Sequence, residues 1–289
     1  MTHTSAGVLV TGASGGIGAA TTLQLADAGV PVFAGYHDNP DGVPEHRLVT
    51  PVALDVTDVS SVCRAVDQIA SAVGGDGLRA VINNAGLIVQ GPLEVLPEAS
   101  LRRQLEVNTL GPLFVLQQTL PLLRLGRGRI VNVSAPTARI PVPFLAPIGA
   151  SKAALASWSV ALRGELAPWR IPVVLIEPDA TKTAIFDSAA ALAERDLASA
   201  TPARVDPYAR QLAAIARAAA KQRMVEPDVV ARVITKAATT SRPRRHYTAG
   251  PGARLFAMVS HLPESLRERV VLAAMGLTRA AHEQAATTV

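Results

Sequence analysis

The chain has 289 residues, of which 49% are hydrophobic and 18% are charged. This balance excludes a disordered protein, and the length suits a single large α/β domain, taken here as residues 1–289. The net charge of +5 is scattered, with its densest basic run at 241–246, and aromatic residues are only 3% of the chain, so we expect no nucleic-acid partner.

Other features bear on the compartment. No apolar run approaches the ~18 residues of a membrane span, and the N-terminus shows no basic segment followed by an apolar one. The single cysteine, Cys63, cannot form an internal disulfide. We expect a cytoplasmic protein without a membrane span.

Six apolar runs rich in β-branched residues predict strands, and helical patterns separate them. The runs lie at 7–12, 30–35, 47–56, 79–86, 128–135 and 171–178. Buried strands that alternate with helices indicate an α/β fold with a doubly wound parallel sheet and helices on both faces.

Three further segments are predicted to be helical in whole or in part. From about Ala150 to Ala167 an apolar stripe recurs every three or four residues, and Pro168 ends it. Residues 183–223 show no strand pattern, and a helix is predicted near 207–222. Because this segment follows a late strand, it is a candidate substrate lid. The alternative is a helical insertion with no role in substrate binding. In the tail, 250–289, the apolar residues Leu266, Val270, Val271 and Met275 are predicted to share one face that packs on the domain or on a second subunit, with membrane-surface contact as the alternative.

Residues 8–29 combine a strand, a glycine-rich turn and a helix in immediate succession. Gly12 permits a tight turn, Gly16 lets the backbone approach a pyrophosphate, and Gly18 lets the helix pack against the strand. The helix N-terminus would then offer free N–H groups to the phosphates.

With Thr11, these glycines match the TGxxxGxG turn of the short-chain dehydrogenase/reductase family. The chain resembles this family in the order of its motifs from about residue 6 to 250. LDV at 54–56, NNAG at 83–86, Asn108 and Lys152 lie on further family motifs, and the downstream part looks most like steroid- and retinol-type members. The resemblance implies a Rossmann-type fold that binds a nicotinamide dinucleotide, and commonly a homodimer or homotetramer. The implied cofactor-binding residues are Thr11, Gly12, Ser14, Gly15, Gly16, Ile17, Gly18, Tyr36, His37, Asp55, Val56, Asn84, Ala85, Gly86, Lys152, Pro178, Thr181 and Thr183.

The choice between NADP and NAD depends on the end of the second strand. Family members that use NAD usually carry an Asp there, which accepts from the ribose 2′-hydroxyl, whereas this chain has Tyr36. A 2′-phosphate is then not repelled, and His37 could help to neutralise it. Gly15, where many NADP-dependent relatives carry a basic residue, argues the other way. We favour NADP, with NAD as the alternative.

The catalytic half departs from the family pattern. The family's proton-donating Tyr is replaced by Ile148, which has no donor, acceptor or titratable group. Family spacing puts Ala135 at the position of the substrate-holding Ser, although a one-residue insertion would restore Ser134. Losing a general acid costs about 10²–10⁴ in rate and losing an oxyanion donor about 10²–10³, so ordinary alcohol–ketone interconversion is not expected.

Asp179 stands where the family carries a Gly beside the nicotinamide. Its carboxyl is either a new acid/base group or a turn residue that caps the following backbone. The candidate catalytic residues are therefore Lys152, Asn108, Asp179 and Ser134, and no metal site is predicted.

Three functions remain open. The first is a biosynthetic reductase whose acceptor, an iminium, an enone or a quinone-like compound, does not need the Tyr. The second is a non-redox cyclase, dehydratase or isomerase on the same scaffold. The third is a catalytically silent subunit or a dinucleotide-sensing protein. Phe186, Tyr208 and the loop at 141–147 predict a largely apolar small-molecule substrate.

Overall fold

A seven-stranded parallel sheet forms the centre of the computed structural model, which describes residues 6–278. The strand order is β3-β2-β1-β4-β5-β6-β7, so the direction of winding changes between β1 and β4. In such sheets ligands bind beside the carboxyl ends of the strands at this switch point. The predicted doubly wound α/β fold is confirmed. The strands are β1 (Gly7–Val10), β2 (Val32–Tyr36), β3 (Val49–Ala53), β4 (Leu78–Asn83), β5 (Ile130–Val133), β6 (Val173–Pro178) and β7 (His246–Ala249).

Eleven α-helices connect or follow these strands within the described residues. A π-helical turn, Glu106–Leu110, joins the third helix to the fourth. The helices are α1 (Gly16–Asp27), α2 (Val59–Val73), α3 (Glu98–Leu105), α4 (Gly111–Leu125), α5 (Ala146–Glu165), α6 (Ile185–Ser199), α7 (Pro202–Val205), α8 (Ala209–Ala220), α9 (Pro227–Thr239), α10 (Pro251–Val259) and α11 (Glu264–Ala274).

The core lies in two layers, one on each face of the sheet. Successive side chains of a strand point to opposite faces, so Val8 packs in the same cluster as Leu25 of α1 and Ile234 of α9. Leu9 packs on the other face with Ile69 of α2 and helix α4. Both faces of the sheet are thus covered, as the continuous apolar runs indicated.

Strand β7 and helix α6 are among the elements that were not predicted from the sequence. Strand β7 has the sequence HYTA and three of its four residues are only partly buried, so it lacks the apolar run that marks the other strands. Helix α6 was missed in the lid segment, where only the helix near 207–222 was expected; that helix is present as α8. The helix expected from about residue 150 begins at Ala146, with Pro147 in its first turn, where proline is tolerated.

The predicted apolar face of the tail is buried only in part within the described residues. Val271 is buried and Met275 packs beside it, against Ile140 and Val142 of the loop before α5. Leu266 and Val270, in contrast, are 46% and 40% exposed. Only part of the predicted face therefore packs on the domain, and residues 279–289 of the predicted tail lie outside the described residues.

Candidate functional site

The turn between β1 and α1 is shaped by close backbone contacts. Gly12 adopts a left-handed conformation with φ of 63°, and a Cβ there would lie 2.9 Å from Cα of Ala85. A Cβ at Gly18 would overlap the carbonyl oxygen of Gly12. Both positions therefore require glycine, because the turn packs directly against the segment that follows β4.

Helix α1 begins at this turn without a side-chain cap. Its N-cap residue is Gly15, Gly15 and Gly16 are exposed, and Ile17 packs on the core below. A Cβ at Gly16 would overlap the methyl group of Thr183, which comes from the loop after β6. The cradle is therefore bare backbone at a helix N-terminus, bordered by Thr183, and it fits a dinucleotide pyrophosphate.

Hydrogen bonds tie this turn to the carboxyl end of β4. The Thr11 hydroxyl accepts from the backbone N–H groups of Asn84 and Ala85, both at 3.0 Å. The Asn84 amide donates to the carbonyl oxygens of Thr11 (3.0 Å) and Gly12 (3.1 Å). Four residues predicted to bind the cofactor, Thr11, Gly12, Asn84 and Ala85, are thus brought together at the switch point, where their hydrogen bonds hold the turn.

The carboxyl ends of β2 and β3 carry an ionic cluster. His37 lies 2.8 Å from Asp38 and 3.2 Å from Asp55. Burial alone would raise the pKa of Asp55, but hydrogen bonds from the backbone and hydroxyl of Thr57, together with His37, hold it below its ordinary value. Tyr36 ends β2 and packs partly on the core, and Val56 is buried. His37, the residue expected to help neutralise a 2′-phosphate, thus already contacts two carboxylates.

Lys152 and Asn108 meet beside Gly86. A Cβ at Gly86 would lie 3.3 Å from Oδ1 of Asn108 and 3.6 Å from Nζ of Lys152. Lys152 is 7% exposed, and its Nζ donates to the carbonyl oxygen of Val133 at 2.7 Å. Burial lowers the pKa of Lys152 to about 8. The region around Gly86, Asn108 and Lys152 at the carboxyl ends of the strands is called the cleft below. It thus contains a cation that titrates close to neutral pH.

A buried polar network supports this pair from behind. Asn108, in the π-helical turn, accepts from the N–H of Leu87 and donates to its carbonyl oxygen, both at 2.9 Å. Ser151 donates to the carbonyl oxygen of Ile148 at 2.9 Å. Gln104 was not predicted; it is fully buried, accepts from the N–H of Val89 at 2.7 Å and donates to Ser151 at 3.2 Å. Its position one turn before Asn108 was the only signal in the sequence.

The expected phenol position is apolar. Ile148 is 8% exposed and lies in the first turn of α5, four residues before Lys152 and on the same side of the helix. Ala135 is the second residue after β5 and is partly buried. Ser134 is buried, and its hydroxyl donates to the carbonyl oxygen of Lys152 at 3.4 Å. This contact favours Ala135 as the residue at the family's serine position.

Asp179 caps a helix. Its Oδ2 accepts from the N–H of Gly252 at 2.6 Å, in the first turn of α10, and its Oδ1 accepts from the N–H of Ala180 at 2.9 Å. Pro178 ends β6, and the Thr181 hydroxyl donates to the carbonyl oxygen of Asp179. Of the two interpretations of this carboxylate, the geometry supports the cap.

We expect Asp179→Ala to lower the free energy of unfolding by about 1–2 kcal/mol, because it removes both acceptors. Asp58→Ala is a matched control, since Asp58 caps α2 through the N–H of Ser60 far from the cleft. Urea denaturation of both variants checks the prediction. An Asp179→Ala protein as stable as the wild type would contradict the capping role.

The segment predicted as a lid contacts two loops that border the cleft. Tyr208 donates to Oε2 of Glu94 at 2.6 Å, and its ring meets that of Phe144 edge-on with centroids 6.2 Å apart. Arg204 donates to the carbonyl oxygen of Glu94. Glu94 follows β4, and Phe144 precedes α5 with an unusual φ of 66°. These contacts place α7 and the start of α8 against the loops after β4 and β5.

Within residues 6–278 no group of three or more His, Cys, Asp or Glu side chains could hold a metal ion. No helix in that range is long and apolar enough to cross a bilayer.

Comparison with known proteins places this geometry in context. The family model for short chain dehydrogenases matches residues 6–193. The chain is 29% identical to a 3-amino-tetrahydro-pyrrolizinone reductase of Xenorhabdus hominickii, over 88% of this chain and 90% of the relative. It is 33% identical to an 11-beta-hydroxysteroid dehydrogenase type 2 of Bos taurus, over 91% and 69%. It is 29% identical to an NADPH-dependent 3-dehydrocapnine reductase of Ornithobacterium rhinotracheale, over 91% and 94%.

Solved structures show the same architecture. A short chain dehydrogenase from Burkholderia cenocepacia in complex with NADP superposes with a TM-score of 0.72 and 25% identity, over 93% of this chain and 98% of that one. A short-chain dehydrogenase from Streptomyces avermitilis gives the same TM-score and identity, over 93% and 96%.

Proposed function

The chain belongs to the short-chain dehydrogenase family, and from that premise we propose that it is a biosynthetic, NADP(H)-dependent reductase of an acceptor that needs no phenolic acid. Such acceptors include an iminium, an enone or a quinone-like compound. The observation that carries the proposal is Ile148 beside buried Lys152, in a cleft whose dinucleotide cradle is otherwise present. The absence of a titratable side chain at position 148 selects against ordinary ketones.

The residues at the switch point would hold the dinucleotide. The bare N-terminus of α1 suits the pyrophosphate, Asp55 and Val56 border the adenine end, and Thr183 closes over the turn. Binding of NADP to the Burkholderia cenocepacia relative and the NADPH dependence in the name of the Ornithobacterium rhinotracheale relative support NADP as the cofactor. NAD is the alternative.

The chemistry of the acceptor follows from what the cleft can supply. When bound, the reduced dinucleotide supplies a hydride. Ile148 and Ala135 offer neither a proton nor a hydrogen bond to a developing alkoxide, so a ketone gains little stabilisation. An iminium carbon that gains a hydride yields a neutral amine, and no proton is required. An enone that gains a hydride at its β-carbon needs one proton afterwards, which water can provide.

The remaining polar residues have positioning roles in this scheme. The bond to Val133 fixes the Lys152 ammonium at the cofactor side of the cleft, where the family resemblance assigns it to the nicotinamide ribose. Asn108 and Gln104 fix the loop that contains Gly86, because they accept hydrogen bonds from the N–H groups of Leu87 and Val89. We propose that Asp179 does not donate the proton, because its oxygens accept from backbone N–H groups.

We expect NADPH to bind with micromolar affinity in calorimetric titration, which is within the usual range for metabolite sites. Because NADP is the proposed cofactor, NADPH should bind more tightly than NADH. Gly15→Asp is the control, because an acid at the N-cap of α1 stabilises the helix but repels the phosphates. A Cβ at Gly15 makes only an ordinary contact, at 3.5 Å from the carbonyl oxygen of Gly12. NADPH consumption should then accompany reduction of a cyclic iminium or an enone, with simple ketones much slower.

Three results would contradict the proposal. A product of unchanged oxidation state, formed without NADPH consumption, would indicate non-redox catalysis. Failure of a folded protein to bind either dinucleotide would favour a silent subunit. Equal binding by the wild type and Gly15→Asp would place the dinucleotide elsewhere.

A further inference from the structure

A pocket of ≈ 290 Å³ lies at the amino ends of β6 and β7, at the opposite edge of the sheet from the cleft. Four of its lining residues are arginines: Arg163 near the end of α5, Arg170 after it, and Arg244 and Arg245 before β7. The rest of the lining is residues 171–174 and Pro243. The basic run at 241–246, which the dinucleotide site does not use, thus forms one wall of a pocket.

The positive charge in this pocket is uncompensated. None of the lining residues is an Asp or a Glu, and within residues 6–278 none of the four arginines forms an ion pair with a carboxylate. Burial, followed by the charge of Arg245, lowers the pKa of Arg163. Like charges held this close repel one another, so an anion that enters the pocket gains favourable energy from each of them.

Hydrogen bonds fix Arg163 and the main chain of the pocket. The Arg163 guanidinium donates to the carbonyl oxygen of Val173 at 3.0 Å and to that of Arg245 at 2.8 Å, so it joins α5, β6 and the segment before β7. The backbone N–H of Arg244 donates to the hydroxyl of Tyr247 at 2.9 Å. Arg170, Arg244 and Arg245 are exposed, and Arg170 has a left-handed backbone with φ of 54°. The frame of the pocket is thus arranged in advance, and only the exposed side chains lose freedom when a ligand binds.

We propose that this pocket binds a small anion that carries one or two phosphate groups. Guanidinium groups match phosphate oxygens with paired, charge-assisted hydrogen bonds. The volume is at the lower end of the range for small-molecule sites, which suits a compact ligand. Because the pocket lies at the far edge of the sheet, its ligand and the dinucleotide do not compete for the same residues.

The test uses inorganic pyrophosphate as the probe. Three proteins are titrated by calorimetry. The parent is Gly15→Asp, which removes phosphate binding at α1, and the pocket triple is the same protein with Arg170, Arg244 and Arg245 changed to Gln. Arg163 is retained because it braces the backbone. The control triple changes Arg232, Arg254 and Arg269, which are exposed and outside the pocket, to Gln in the same Gly15→Asp protein.

We expect pyrophosphate to bind the Gly15→Asp protein at one site. The pocket triple should bind it at least about tenfold more weakly, since each lost charge-assisted hydrogen bond is worth a factor of that order. The control triple, with the same change in net charge, should bind as tightly as its parent. Equal binding by the two triples would overturn the proposal, because it would show a diffuse charge effect. No binding to the parent would also overturn it. Neither result bears on the proposed reductase, which depends on the other edge of the sheet.

Discussion

Replacing Ile148 by Tyr and Ala135 by Ser together should raise the rate of ketone reduction by NADPH by about 10²–10⁴-fold, the contribution of one positioned general acid. Position 148 lies one helical turn before Lys152, so a phenol there would approach the ammonium. A nearby cation lowers the pKa of a phenol and makes it a better acid at neutral pH. A serine at 135 would add a hydrogen-bond donor for the carbonyl oxygen.

The matched control is Ile148→Phe with Ala135→Ser, which adds the ring without its hydroxyl. Position 148 is nearly buried, so both double variants share any cost of overpacking. NADPH titration of each checks that the cofactor site survives. A Tyr variant no faster than the Phe variant, with both still binding NADPH, would mean that the pocket has diverged beyond the proton relay.

The parts of the fold that were predicted from the sequence depend on local patterns. Six of the seven strands appear as apolar runs, and all of these except β3 are largely buried. The glycine turn is marked by the strand and the helix on either side of it. Strand β7 was not predicted because its four residues, HYTA, contain no apolar run. Helix α6 escaped because its Ala-rich sequence has only Ala189 and Asp196 buried, so it has almost no apolar stripe.

The site shows a similar division. Lys152 and Asn108 were placed by motif spacing, and the structure brings them together at Gly86. The capping of α10 by Asp179 could not be foreseen, because Gly252 is 73 residues away in the chain. Gln104 looks like any polar residue of an amphipathic helix until its partners at Leu87, Val89 and Ser151 are known. Contacts between distant segments, rather than residue types, decide these roles.

The cation that remains in the cleft should make the stability of the protein depend on pH. Lys152 has a pKa of about 8 in the folded protein and about 10.4 in an unfolded chain. Between these values the unfolded state binds more protons, so the free energy of unfolding rises with pH. Below pH 8 both states are protonated, and the buried charge destabilises the fold by a constant amount.

Lys152→Met should therefore remove this dependence. We expect the stability of the wild type relative to Lys152→Met to rise by about 3 kcal/mol between pH 7.5 and 10.5, as the difference between the two pKa values requires. Lys236→Met is the control, since Lys236 is exposed on α9 and its variant should follow the wild type at each pH. Urea denaturation across this range measures the difference. The curves of unfolding free energy against pH of the wild type and Lys152→Met could instead stay parallel. Lys152 would then be hydrated in solution, and its ammonium would not be the buried cation that is proposed for the cofactor side of the cleft.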